Sequence, residues 1–166
     1  MKPDLLVDYS KSCDYPIFRR FLKEHRDFFG KIIIYFNEAF RHMYFDKFTI
    51  EALKGLDITF IPSVEYEYGV EDWRNVGTHE MLKRSDSEWI CSIEQDFFVK
   101  DWDKLFRTVE EASKTYDLLG YKGYQNDQQF QHGDIDYLTG KYAHPSFWFM
   151  KRSTLEKTSE NFSDDA

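Results

Sequence analysis

The stretch that decides the fold is DWRNVGTHEMLKRSDSEWICSIEQDFF, residues 72–98. It contains a predicted helix from about Trp73, an apolar strand over residues 89–93, and two acidic residues, Glu94 and Asp96, directly after the strand. Like charges this close repel, and burying either one without a partner costs free energy. Either the acidic turn is solvated, or a positively charged group such as a metal ion belongs there.

Strands and helices alternate along the rest of the chain. Helical spacing of apolar residues predicts helices from Pro16, near residues 46–54 and after Asp101, which caps its helix, and Ser153 is a candidate cap for a last helix. Apolar runs predict further strands over residues 5–7, 32–36, 58–61, 118–121 and 147–150. This alternation predicts a single α/β domain with a mostly parallel sheet that helices cover on both faces.

Polar side chains follow several of the predicted strands. In sheets of this class, ligands bind at the carboxyl ends of the strands. Three such ends carry polar or acidic residues: Asp8, Tyr9 and Ser10; Asn37 and Glu38; and Glu94, Gln95 and Asp96. The sequence therefore predicts a ligand site at this edge, although a solvated turn at residues 94–96 stays open.

Composition restricts the class of protein. Thirty acidic and 22 basic residues leave a net charge of -8, which argues against a partner such as duplex nucleic acid, because that partner is bound mainly by Lys and Arg. Cys13 and Cys91 are expected to be reduced thiols. The segment MKPDLLVDYS does not resemble a signal peptide, and no apolar run approaches the roughly 20 residues that span a bilayer. A cytoplasmic protein is expected.

The acidic turn suits a divalent cation. Glu94 and Asp96 offer hard oxygen ligands, which Mg²⁺ and Mn²⁺ prefer, and such a cation bridges to a diphosphate. Acidic pairs after strands are common, so these two residues alone predict the metal only weakly.

The stretch 72–98 resembles the central segment of nucleotide-sugar-dependent glycosyltransferases with the GT-A fold, especially family 2. That family typically has an Arg-Asn-x-Gly segment that opens a helix, then a strand, then an Asp-x-Asp type motif. The matching residues here are Arg74, Asn75 and Gly77, followed by residues 89–93 and 94–96. The segment SFWFMKRSTLEK, residues 146–157, is also similar to the strand and helix start that follow the family's acceptor loop. The resemblance covers roughly residues 4–157.

The resemblance implies a three-layer α/β/α GT-A domain. Its nucleotide-binding half would span about residues 1–100 and its acceptor-side half about 101–166. Such a domain transfers a sugar from a nucleoside-diphosphate donor, here expected to be a UDP-sugar, to a hydroxyl of a carbohydrate or other acceptor, with inversion. Gly77 would allow close packing of its helix on a strand.

Roles for individual residues follow from the resemblance. Asp96 would hold Mn²⁺ or Mg²⁺ with support from Glu94, and His144 is a candidate third ligand. Asp134 and Asp136, chosen by position, are candidates for the general base that deprotonates the acceptor. The candidates for binding the donor are Asp8, Tyr9, Ser10, Asn37, Arg74, Asn75 and Gln95.

The sequence departs from the family pattern in three places. Glu94 replaces the commoner Asp, Asn37 stands where the family has an Asp, and the chain ends at Ala166, before the segment that carries the family's general base. A truncated or minimal catalytic domain is expected. Two alternatives stay open: a GT-A-like domain that binds nucleotide or partner without turnover, and a sugar-phosphate nucleotidyltransferase. The latter would want a glycine-rich loop after the first strand, and SKSCDYPIFRR has no glycine.

Overall fold

The computed structural model describes residues 1–9, 16–36, 47, 50–61, 70–95, 99–120 and 147–160, with the backbone alone for 70–76 and 158–160. In these ranges the strands are β1 Asp4–Tyr9, β2 Ile32–Phe36, β3 Ile58–Ile61, β4 Trp89–Glu94, β5 Leu118–Gly120 and β6 Phe147–Lys151. The helices are α1 Pro16–His25, α2 Val70–Arg84, α3 Trp102–Ala112 and α4 Arg152–Glu160, and a short 3₁₀ helix, Arg26–Phe28, follows α1. Residues 50–52 are also helical.

The strands form one sheet in the order β3-β2-β1-β4-β6-β5. β1 pairs in parallel with both β2 and β4, and β2 pairs in parallel with β3. β6 is antiparallel to its neighbours β4 and β5. The chain moves outward from β1 to β3 and then returns to add β4 on the other side of β1. The strand order therefore reverses between β1 and β4.

Helices cover both faces of this sheet, which confirms the predicted α/β architecture with a mostly parallel sheet. On one face, α1 and α3 pack on a large apolar cluster that includes Leu5, Val7 and Ile34. On the other face, Met81 of α2 and Leu155 of α4 pack on a smaller cluster around Leu6, Ile33 and Ile90. The two clusters take alternate residues of the same strands, because successive side chains of a strand point to opposite faces.

Local sequence explains most of the boundaries. Pro16 begins α1, where its missing N–H costs nothing. Asp101 caps α3, since its Oδ1 accepts a hydrogen bond of 2.8 Å from the backbone N–H of Lys104. Gly55 ends the turn after the predicted 46–54 helix with φ at 89°, a conformation that favours glycine. Within the described ranges, none of the helices combines the length and the apolar character needed to cross a bilayer.

Several predicted boundaries are wrong, and the largest differences are in β1, α2 and α4. β1 continues through Asp8 and Tyr9, which were expected to begin a polar loop, because β2 pairs with both residues and β4 pairs with Asp8 from the other side. α2 begins at Val70, three residues before the predicted start. α4 begins at Arg152, so Ser153 lies inside that helix and does not cap it.

Candidate functional site

Three polar side chains line up across neighbouring strands at the carboxyl edge of the sheet. Asp8 of β1 is the register partner of Tyr35 on β2 and of Glu94 on β4. Register partners in a parallel sheet share a face, so the three side chains lie on the face that α2 covers. We call Tyr35, Asp8 and Glu94 the polar row. It lies where the strand order reverses, the position at which open α/β sheets bind ligands.

Gly77 brings the backbone of α2 directly onto the polar row. A Cβ atom at this position would lie 3.1 Å from Oδ1 of Asp8 and 3.5 Å from Cδ1 of Tyr35. The first distance is shorter than an ordinary van der Waals contact, so any other residue here would force Asp8 or the helix to shift by a few tenths of an ångström. The predicted role of Gly77 in close helix–strand packing is therefore confirmed.

The polar row is shielded from solvent except at its Glu94 end. Asp8 is 4% exposed and Tyr35 is 1% exposed, whereas Glu94 is half-buried. Asp8 and Glu94 each already have an interaction partner in the structure. Neighbouring strands of a sheet lie about 4.8 Å apart, so Asp8 and Glu94, as register partners, are adjacent on this face of the sheet.

Two of the residues that were predicted to bind the nucleotide-sugar donor, Tyr9 and Gln95, are buried. Tyr9 is 3% exposed, and its ring packs against Phe18 at 5.9 Å and Phe36 at 5.3 Å, on the face opposite to Asp8. Stacking on a nucleobase would require the Tyr9 ring to leave this core, so its position favours a packing role. Gln95 is fully buried, directly after β4.

The remaining candidates lie either on α2 or outside the described residues. Arg74 and Asn75 lie in the second turn of α2 rather than the first, because the helix begins at Val70. Six candidates lie outside the described residues: Ser10, Asn37, Asp96, Asp134, Asp136 and His144. Within the described residues, no group of three His, Cys, Asp or Glu side chains is placed to hold a metal ion. The metal site thus stays a prediction that depends on Asp96 and His144 in addition to Glu94.

Sequence reasoning missed Tyr35 as a member of the site. In the sequence, Tyr35 belongs to the run IIIYF, which reads as a buried strand. Its place beside Asp8 follows from the register of β1 on β2, and no local motif announces that register.

The fold is similar to those of several solved structures. 4-Diphosphocytidyl-2C-methyl-D-erythritol synthase matches with a TM-score of 0.58 and 8% identity over 96% of this chain and 80% of that chain. S. aureus TarS 1-349 matches with a TM-score of 0.57 and 12% identity over 93% of this chain and 49% of that chain. The bifunctional IspDF from Campylobacter jejuni matches with a TM-score of 0.54 and 12% identity, over 98% of this chain and 44% of that chain.

These likenesses concern the fold alone, because the identities are low. No protein-family model matches the chain, and no curated protein matches it in sequence. The chain spans about half the length of the TarS chain and less than half that of the IspDF chain. The matched structures have nucleotide-diphospho-sugar transferase-like folds. The chain therefore has the three-layer α/β architecture of the nucleotide-diphospho-sugar transferases.

Proposed function

We propose that the chain is all or part of the catalytic domain of a metal-dependent glycosyltransferase. It would transfer a sugar from a nucleoside diphosphate to a hydroxyl of a carbohydrate or other acceptor, with inversion. The observation that supports this most is the pair of carboxylates, Asp8 and Glu94, side by side at the carboxyl edge where the strand order reverses. This edge is where a nucleotide binds in folds of this class.

The carboxylates at this edge of the sheet are suitable ligands for a hard divalent cation. Glu94 is half-buried at the end of β4, with Asp8 beside it and Asp96 two residues further along the chain. Carboxylate oxygens are the ligands that Mg²⁺ and Mn²⁺ prefer. Glu94 and Asp96 would hold the cation, with His144 as the candidate third ligand. When bound, the cation would stabilise the negative charge of the departing nucleoside diphosphate.

The remaining roles belong to side chains of the chain itself. Arg74 stands one helical turn before Gly77 in α2, the helix whose backbone lies against the polar row. We assign Arg74 and Asn75 to the diphosphate, for which a guanidinium offers paired donors. Ser10 and Asn37 follow β1 and β2 and would contact the nucleoside. Asp134 or Asp136 would accept the proton of the acceptor hydroxyl.

Ligand-induced changes in melting temperature test this function. UDP, GDP and CDP, each with and without Mn²⁺, are compared with CTP. A ligand at one hundred times its Kd stabilises the folded state by about 2.7 kcal/mol, which corresponds to a rise of roughly 5–10 °C for a domain of this length. We expect this rise with one nucleoside diphosphate, only when Mn²⁺ is present, with UDP as the first candidate.

Two variants and one control locate the ligand. Asp96→Asn and Glu94→Gln should abolish the metal-dependent part of the rise, while Asp103→Asn, an exposed carboxylate on α3, should keep it. The absence of a rise with every nucleotide, or an equal rise in all three variants, would refute the proposed site. A response to CTP alone would favour nucleotidyl transfer. Nucleotide binding with neither transfer nor hydrolysis of the donor sugar would favour a binding domain.

A further inference from the structure

Ser92 of β4 is a buried polar residue to which the proposed function assigns no role. The five residues of β4 before Glu94 are all buried, and Ser92 is the polar one among them. Ser92 is 0% exposed, and its Oγ has no hydrogen-bond partner among the described residues. Burying a hydroxyl without a hydrogen bond costs free energy, so the presence of serine at this position needs an explanation.

Packing alone does not favour a serine here. Ser92 is the register partner of Leu6 on β1 and of Trp148 on β6, and Ile90 precedes it on the same face of β4. All three neighbours belong to the apolar cluster on this face or pack against it. Alanine would occupy the same small space without an unpaired hydroxyl, and valine has the higher preference for a strand.

Glu94 is the strand neighbour of Ser92 that offers a hydrogen-bond acceptor. Leu6 and Ile90 have no polar side-chain atom, and the indole of Trp148 is a donor only. Glu94 lies two residues further along β4 on the same face, roughly 6.6 Å along the strand. A glutamate side chain and a serine hydroxyl together can span this separation. The Ser92 hydroxyl is therefore on the same side of the sheet as the polar row, next to its half-buried end.

We propose that Ser92 is a positioning residue of the candidate metal site, where its hydroxyl donates a hydrogen bond to the Glu94 carboxylate in the cation-bound state. This inference rests on the proposed function. Glu94 already has another interaction partner in the structure, so the bond to Ser92 would form as the carboxylate turns towards the cation. A carboxylate that binds a metal ion through one oxygen can accept a hydrogen bond with the other, and metal-ligating carboxylates are commonly held in this way.

The proposal predicts opposite effects of Ser92→Ala on stability and on metal affinity. The melting temperature of the metal-free chain should rise by roughly 2–6 °C, because a buried hydroxyl without a partner is removed. The Kd for Mn²⁺ should rise about tenfold, since a hydrogen bond that supports a metal ligand is lost. A serine with a purely structural role would lower the melting temperature when replaced and would leave the Kd for Mn²⁺ unchanged.

Two measurements on the full chain test this prediction. Titration with Mn²⁺ alone, followed by the electron paramagnetic resonance signal of the free ion, gives the Kd, and thermal unfolding without metal gives the melting temperature. The matched control is Ser85→Ala. Ser85 is 2% exposed, but its Oγ accepts a hydrogen bond of 3.1 Å from the backbone N–H of Ser87. Ser85→Ala should therefore lower the melting temperature and leave the Kd for Mn²⁺ unchanged.

Two further comparisons separate the hydroxyl from its shape and identify its partner. Ser92→Thr and Ser92→Val introduce side chains of nearly the same shape, and only threonine keeps the hydroxyl. The threonine variant should bind Mn²⁺ about tenfold more tightly than the valine variant. In a Glu94→Gln background, Ser92→Ala should no longer change the residual binding of Mn²⁺, because the hydroxyl acts through Glu94.

Each result bears on the inference. Mn²⁺ binding by the wild type that is weakened in Ser92→Ala and Ser92→Val supports it. Equal Mn²⁺ affinity of the wild type and Ser92→Ala would overturn the role of Ser92 and leave the proposed metal site intact. A lower melting temperature of Ser92→Ala would also contradict the inference, because the hydroxyl would then have a partner in the metal-free protein. The absence of Mn²⁺ binding by the wild type would overturn the proposed function and this inference with it.

Discussion

Replacing Gly77 with alanine tests the close approach of α2 to the polar row. The added Cβ would lie 3.1 Å from Oδ1 of Asp8. Asp8 is 4% exposed, and its strand is held by neighbours on both sides, so the carboxylate has little room to retreat. The ring of Tyr35, at 3.5 Å from the new atom, would make an ordinary contact.

Two opposing effects set the magnitude. Alanine is better than glycine in the interior of a helix by about 1 kcal/mol. Forcing an additional atom into a packed interior typically costs about 1–3 kcal/mol. Gly77→Ala should therefore lower the free energy of unfolding by between 0 and about 2 kcal/mol, instead of raising it by about 1 kcal/mol as an open site would.

A double-mutant cycle separates the contact from the helix propensity. In an Asp8→Ala background the conflicting oxygen is absent, so Gly77→Ala should stabilise by about 1 kcal/mol. In an Asp8→Asn background the shape of the side chain is retained, and the penalty should persist. The coupling energy between Gly77 and Asp8 is then about 1–3 kcal/mol, measured by urea unfolding of all six proteins.

The sign of the change that Gly77→Ala causes in the free energy of unfolding decides whether the contact with Asp8 exists. If Gly77→Ala stabilises the wild type and the Asp8→Ala variant by the same amount, α2 does not lie on Asp8 as described. If the penalty disappears in Asp8→Asn as well, charge rather than shape governs the contact. The first outcome would remove the reason for a glycine at this position, and the second would assign that reason to the charge of Asp8 instead of its shape.

Three further predictions concern other parts of the fold. Arg152→Ala should lower the free energy of unfolding by about 2–4 kcal/mol. The Arg152 guanidinium links α4 to the end of α2, because it donates hydrogen bonds to the backbone carbonyls of Ser85 and Leu82. A urea unfolding midpoint equal to that of Lys157→Ala, a change at an exposed position of the same helix, would contradict this. Asp101→Ala should cost about 1 kcal/mol, and Asp101→Ser should restore most of it if the side chain acts as a helix cap. Burial raises the pKa of the Cys91 thiol, so the protonated thiol contributes fully to the free energy of unfolding below about pH 8.5, the pKa of an unfolded cysteine. Above that pH the free energy of unfolding of the wild type should fall relative to that of Cys91→Ala by at most about 1.4 kcal/mol per pH unit. Equal pH dependence of the two free energies, measured by urea unfolding between pH 8 and 10, would refute this.

Strands with uniform composition were predictable from the sequence, and strands that end in the site were less so. The bounds of β2 and β3 agree with the prediction because both are runs of β-branched and aromatic residues that end at polar residues or at proline. The end of β1 was predicted two residues too early, since Asp8 looks like the start of a loop. Its place in the strand depends on pairing with β2 and β4, which is a tertiary effect that no local pattern reports.

In the candidate site, too, the positions that depend on strand pairing could not be predicted from the local sequence. Glu94 was predicted correctly as a carboxylate at the end of a strand, because the apolar run before it fixes where the strand ends. Tyr35 could not be assigned, because its proximity to Asp8 depends on which strands are neighbours and in which register. Tyr9 was predicted as a ligand contact from its position after an apolar run, yet alternation along β1 turns its ring to the core.

Gly77 shows which part of a contact the sequence can indicate and which part only the structure supplies. A glycine inside a helix costs about 1 kcal/mol relative to alanine, so its presence in α2 already indicated a close contact before the partner was known. The structure supplies that partner: Asp8, a buried carboxylate in the central strand beside the point where the strand order reverses. A buried acid and a helix glycine are each unfavourable alone, and together they let α2 lie against the sheet with a carboxylate between them. The buried carboxylate lies where the strand order reverses, the position at which open α/β sheets bind ligands, which is why we locate the proposed function at this edge.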